Sequence, residues 1–151
     1  MLELARPDDR ETVNALALEV HAMHMAWRPD IYETVAELYP ADRFEEAIRQ
    51  RSLYVAKLND VVVGYAAVSY RDYNQPGLTR RKAMVLEEFC VIESCRGQGI
   101  GQQMMLELRA LARAFRCTDL QLGVYPQNDD AVGFYQKCGF MIQSITMQMK
   151  A

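Results

Sequence analysis

Apolar and polar positions alternate along this chain with two periods, and the switches between them predict the elements. "LELA" (2–5) is a short strand, and Pro7 with Asp8 and Asp9 opens a helix to about Met25, with acids at the positive end of its dipole. Residues 26–40 hold two prolines and little periodicity, which predicts a loop with short helical turns. Asp42 and Glu45 have the spacing of a capping box for a helix through Arg51. From "SLYVAKL" the period is two, and Asn59-Asp60 forms a two-residue hairpin turn into "VVVGYAAVSYR". "KAMVLEEFCVI" (82–92) is again strand-like. Ile100, Met104, Leu108, Leu111 and Phe115 then recur at helical spacing, the stripe of a helix lying on a sheet. "DLQLGVY" (119–125) predicts a strand, "DDAVGFYQKC" (129–138) a short helix and "FMIQSITMQM" (140–149) a last strand. The unit spanning 82–125 implies a right-handed crossover between parallel strands, whereas the earlier hairpin is antiparallel, so the sheet is mixed.

Composition narrows the classes. A chain of 151 residues, half of them apolar, suits one domain with a substantial core. Seventeen basic and 20 acidic side chains are interspersed at a formal charge of -3, which provides no basic field for nucleic acid or anionic lipid. No apolar run has the length of a leader or a membrane span, so a cytoplasmic location is expected. Cys90, Cys95, Cys117 and Cys138 show no metal-ligand spacing with each other or with His21 and His24, so reduced thiols and no metal are expected.

Glycines at 97, 99 and 101 stand where a helix must begin, although glycine weakens a helix. Bare backbone there lets an anion approach unpaired N–H groups at the positive end of the dipole. The spacing excludes three nucleotide motifs. No lysine follows for a P-loop. GxGxxG fails because position 102 is Gln after Gly97 and Gly99, and a kinase glycine loop lies between two strands. A tight structural turn is the alternative for an isolated motif.

What the stretch does match is R-x-x-G-x-G, in Arg96-Gly97-Gln98-Gly99-Ile100-Gly101, and here the sequence resembles the GCN5-related N-acetyltransferase (GNAT) family. "NDDAVGFYQKCGF" is similar to the second family segment, N-x-x-A-x-x-F-Y-x-x-x-G-F, and follows in the family's order. The resemblance implies an α/β (α+β) fold: a mixed, mostly antiparallel central sheet with helices on both faces and one parallel strand pair. It implies acetyl-coenzyme A as cosubstrate and direct attack by a primary amine in a ternary complex. The cofactor-binding residues it implies are the strand residues Phe89, Cys90 and Val91, the turn Arg96, Gly97, Gln98, Gly99, Ile100, Gly101 and Gln102, and then Asn128 and Ala131.

The chemistry needs a proton acceptor, because alkyl amines titrate near about 10 and are protonated at neutral pH. Glu87 and Glu88 sit mid-strand between Leu86 and Phe89, where partial burial favours a higher carboxyl pKa. Regular alternation sends them to opposite faces, one to the acceptor cleft and the other to a structural or solvated place. "LEEFCV" is similar to the corresponding strand of diamine (spermidine/spermine) acetyltransferases, which implies that Glu87 is the base, acting through water, and leaves Glu88 either structural or at the substrate. By the same resemblance Tyr135 protonates the departing thiolate. Trp27, Asp30, Tyr32 and Tyr39 could hold a cationic acceptor, or serve as ordinary core and cap residues. The acceptor classes open are polyamines, peptide amines, aminoglycosides and small metabolites. Dimerisation is common in the family. A rival class is a non-catalytic acyl-CoA sensor on the same scaffold, and a more distant one is a nicotinamide or ATP binder.

Overall fold

The structure, a computed structural model, describes residues 1–151. Strand β1 (Leu2–Leu4) is followed by a 3-10 turn at Pro7–Asp9 and helix α1 (Arg10–Trp27), then α2 (Ala41–Arg49), β2 (Leu53–Leu58), β3 (Val61–Tyr73) and β4 (Arg81–Val91). A second 3-10 turn, Glu93–Cys95, precedes α3 (Ile100–Ala114), β5 (Asp119–Leu122) and α4 (Asp129–Lys137). The five strands lie in the order β1-β2-β3-β4-β5, antiparallel except for the β4/β5 pair. This is the expected mixed, mostly antiparallel α+β sheet. Asn59 and Asp60 both adopt left-handed backbone (φ 49° and 63°), as a two-residue hairpin turn requires.

Each face of the sheet carries its own helices. Leu53, Val55 and Tyr65 pack with Val13, Leu16 and Ala17 of α1 and Phe44 of α2. On the opposite face Tyr54, Ala66, Val68, Met84 and Leu86 pack with Met105 and Leu108 of α3, and α4 adds Phe134 and Tyr135 at the margin. Each fully buried side chain of this size contributes about 1.5–3 kcal/mol.

Four local expectations change. The helix after Pro7 begins with one 3-10 turn, where Asp9 Oδ2 accepts from Arg6 N at 2.8 Å. No side chain caps α2; Asp42 Oδ1 accepts instead from Arg43 N at 2.9 Å, so the predicted capping box does not form. Strand β5 stops at Leu122, three residues early, because its pairing with β4 ends at Leu86↔Leu122. Residues 140–149 form no strand: beyond Phe140 the stretch is exposed, and it pairs with no neighbouring strand, although its alternation is that of a strand.

Candidate functional site

The early end of the β4/β5 pairing creates the site. From Glu87 to Val91, β4 continues along β3 alone, leaving about 13 Å of backbone with no strand on its β5 side.

A bulge then changes which way β4 points. Ala67 pairs with Glu88 but Val68 pairs with Leu86, so Glu87 is an extra residue. Leu86 and Cys90 are four apart and would share a face in a regular strand, yet Leu86 packs on the α3 side and Cys90 on the α1/α2 side. The expectation that Glu87 and Glu88 point to opposite faces is thus corrected. Both line one cavity of about 530 Å³, with Tyr39, Arg43, Glu46, Gln50, Ser52 and Ala67.

The two carboxylates differ. Glu87 is exposed and its Oε1 accepts from Ser69 Oγ at 2.5 Å. Glu88 is half-buried and accepts a hydrogen bond from the Tyr39 hydroxyl. Burial raises the Glu88 carboxyl above the usual range, against the lowering effect of the Tyr39 hydrogen bond and the Arg43 guanidinium. Burial likewise raises the Tyr39 phenol, aided by the negative charge of Glu88. Tyr39 is held by Asn14, whose Oδ1 accepts from Tyr39 N (2.8 Å) and Leu38 N (3.1 Å) while its Nδ2 donates to Tyr39 O at 2.9 Å. Asn14, Ser69 and the Tyr39 partnership went unseen in sequence, since each depends on residues far apart along the chain.

The glycines of the turn do different jobs. Gly97 and Gly99 have φ of 73° and 82°, where a side chain is strained, although a Cβ at either would meet open space. At Gly101 a Cβ would lie 3.1 Å from the ring of Phe134, so that glycine lets α3 approach α4. No side chain caps α3, and its first bond is Gln103 N to Gly99 O at 3.0 Å, which leaves the N–H groups of Ile100, Gly101 and Gln102 directed out of the helix end. Arg96 and Gln98 are exposed; Arg96 Nε donates to Val91 O at 2.9 Å, fastening the turn to the end of β4. An uncapped N-terminus bordered by bare backbone fits a diphosphate.

Other predicted residues scatter around this gap. Phe89 stacks on Phe134 and meets Tyr135 edge-on, on the α3/α4 side. Burial pushes the Tyr135 phenol up to about 12, with smaller effects from the thiols of Cys138 and Cys90. Burial also raises the Cys90 thiol. Asn128 caps α4, its Oδ1 accepting from Ala131 N at 3.3 Å, which leaves its amide nitrogen for other partners. Trp27 and Asp30 lie outside the glutamate cavity. Trp27 joins His24, Tyr32 and Tyr125 in an aromatic group at the end of α1, and Asp30 is gripped by Arg28 through two bonds of 2.9 and 2.8 Å. The hydrogen bond from Arg28 holds the Asp30 carboxyl down at about 2.

Comparison with known proteins agrees with this architecture. The model of the acetyltransferase (GNAT) family matches residues 19–140. An uncharacterized N-acetyltransferase, YvbK of Bacillus subtilis (strain 168), is 24% identical over 117 residues, 77% of this chain and 70% of that protein. A mutant of the BH1408 protein from Bacillus halodurans shares 26% identity and superposes with a TM-score of 0.93, covering 100% of this chain and 99% of that one. The aminoglycoside N-acetyltransferase AAC(6')-Iy, solved with CoA, has the same fold at 17% identity (TM-score 0.68, covering 100% of this chain and 98% of that one). With a parallel β4/β5 pair that ends at Leu86↔Leu122, an uncapped glycine turn and a family match over most of its length, this chain belongs to the acetyltransferase (GNAT) family.

Proposed function

We propose that the protein transfers an acetyl group from acetyl-coenzyme A to the primary amine of a small molecule or peptide. The observation that carries this reading is the bulge at Glu87, which turns two carboxylates into one cavity beside the open edge of β4. Acetyl-coenzyme A supplies the acetyl group as a thioester, along with an anionic diphosphate. The amides of Gly97 to Gln102 hold the diphosphate, and the free side of Phe89 to Val91 lines the arm that follows. Asn128 adds its amide nitrogen at the far wall, beside Ala131.

The acceptor enters the glutamate cavity. Its volume is that of a small-molecule site, and Glu87 and Glu88 line it beside Arg43, with Glu46 paired to Arg49, so acid outnumbers free cation, which favours a cationic amine. Glu87 takes the amine proton, directly or through one water, because its carboxylate is exposed to the cavity while Glu88 is engaged by Tyr39. Nitrogen then forms its bond to the acetyl carbon, the carbon–sulfur bond breaks, the leaving sulfur takes a proton from the Tyr135 hydroxyl, and the second proton shed by the acylated nitrogen returns to the Tyr135 oxygen through solvent. A phenol raised to about 12 keeps that proton until it is needed. Glu88 and Tyr39 shape the acceptor side.

The test is thiol release from acetyl-coenzyme A over a panel of polyamines, diamines, aminoglycosides and short peptides, with the acetylated product confirmed by mass. Turnover with at least one amine is expected. Coenzyme binding without turnover for any amine would favour a non-catalytic acyl-CoA sensor.

A further inference from the structure

Of the charged side chains around the glutamate cavity, two are answered from within the chain. Glu46 has both oxygens taken, Oε1 by Gln50 Nε2 at 2.7 Å and Oε2 by Arg49 Nε at 2.9 Å. Glu88 is engaged by the Tyr39 hydroxyl. Two charges are left over, one of each sign. Glu87 meets the neutral hydroxyl of Ser69 alone, and the Arg43 side chain meets no carboxylate: the arginines in ion pairs are Arg6, Arg10, Arg28, Arg49 and Arg81.

Arg43 is nevertheless held in place. It stands in the first turn of α2, its guanidinium carbon lies 5.0 Å from the centre of the Tyr39 ring, and its Nη1 donates to Leu38 O at 2.9 Å. The stack and the bond orient the guanidinium, while Nε and Nη2 have no partner in the chain. A guanidinium presents its donors as a planar fork that matches the two oxygens of a carboxylate. Because this fork is already fixed, little further ordering is needed when an anion arrives. Support of Tyr39 accounts for the stack, but not for an unpaired guanidinium lining the same cavity as an unpaired carboxylate.

We propose, resting on the acetyl-transfer reading above, that the acceptor is an amino acid, bound with its carboxylate on Arg43 and its ammonium on Glu87, where that amine is acetylated. Each end of such an acceptor answers one of the two charges that the chain leaves unpaired. A plain alkyl amine would answer Glu87 and leave Arg43 alone. A carboxylate fits better than a phosphate, because Glu46, Glu87 and Glu88 line the same cavity and repel a dianion more strongly than a monoanion. The product, an N-acetyl amino acid, keeps the carboxylate and has lost the ammonium, so it is held at one end only and its release is favoured.

Acceptor pairs that differ only by the carboxylate test this: ornithine against putrescine, lysine against cadaverine, and β-alanine against ethylamine, with an amino sugar phosphate and its parent amino sugar as the phosphate arm. The readout is kcat/KM from thiol release, with the acetylated product confirmed by mass. At least one amino acid is expected to exceed its decarboxylated counterpart by about 10- to 100-fold, the worth of a charge-assisted hydrogen bond. Arg43→Gln is expected to bring that ratio to about one, and Arg43→Lys, which keeps the charge without the fork, to give an intermediate ratio. An arginine that only supported Tyr39 would, when replaced, slow both members of a pair and leave the ratio as it was, which would overturn the proposal. Turnover of amines with no preference for a carboxylate, or a preference confined to the amino sugar phosphate, would overturn it too and leave acetyl transfer standing. Coenzyme binding with no acceptor turned over would remove both.

Discussion

Ser69 donates its hydroxyl to Glu87 at 2.5 Å, across the point where β4 carries one residue more than β3. That contact holds the extra residue on the α1/α2 face, where Glu88 also points, and leaves the second oxygen of Glu87 free towards the cavity. The two acids are neighbours in space because the strand is irregular. A regular strand would put the sheet between them.

Glu87→Gln removes the proposed proton acceptor at nearly constant shape. A fall in kcat of about 10²- to 10⁴-fold is expected, with KM for acetyl-coenzyme A unchanged. Ser69→Ala is expected to lose less, since it only orients the carboxylate. Steady-state thiol release at saturating amine checks both, and equal kcat for Glu87→Gln and wild type across pH would remove Glu87 from the chemistry.

Tyr135→Phe keeps the ring that packs on Phe89, Phe134 and Phe140, so the thermal midpoint is expected to change little. Its kcat is expected to fall about 10²-fold, for want of the proton donor. Because the phenol is pushed up to about 12, it stays protonated through pH 10, and any basic limb of the rate profile below that belongs to another group. A pH–rate profile of both proteins separates these effects.

Gly99→Ala and Gly101→Ala test different physics in one turn. At Gly99 the left-handed backbone makes alanine cost about 1–2 kcal/mol. At Gly101 the new methyl would press on Phe134, an overpacking of about 1–3 kcal/mol that pushes α3 from α4. Denaturant unfolding measures both losses, and calorimetric titration with CoA is expected to show weaker binding in each.

Glu88 links the site to stability. Burial raises its folded-state pKa above the usual 4.5, so folded protein holds the proton to higher pH than unfolded protein does. Its contribution to stability is complete at acid pH and declines as pH rises from 4.5 through the raised value. Glu88→Gln removes that decline while leaving Tyr39 an acceptor. The variant is therefore expected to gain on wild type between pH 4 and pH 7 in urea midpoints, and parallel curves would contradict this. Asn14→Ala leaves the buried Tyr39 N–H without its acceptor, a loss of about 1–3 kcal/mol expected in the same urea midpoints.

Much of this was legible in the chain. Period-two runs located β2, β3 and β4, the stripe from Ile100 to Phe115 located α3, and the glycines marked its start. The bulge was not legible, because "LEEFCV" alternates like any strand and only the register against Ala67 and Val68 reveals the added residue. The segment 140–149 failed for a related reason: alternation reports two dissimilar faces and says nothing of whether a neighbouring strand exists. Tyr39 looked like one aromatic residue among several in an irregular loop, and its link to Glu88 spans 49 positions. Asp30, a candidate for cation binding, proved to be neutralised by Arg28 only two residues away.

The central claim is that main-chain amides from Gly97 to Gln102 hold the diphosphate of the coenzyme. Amide resonances of the isotope-labelled protein, followed while CoA and then pantetheine are added, test it directly. With CoA, the signals of Gly97, Gly99, Gly101 and Gln102 are expected to shift strongly, and pantetheine, which lacks the diphosphate, is expected to leave them nearly unmoved. Equal shifts with both ligands, or none with CoA, would contradict it.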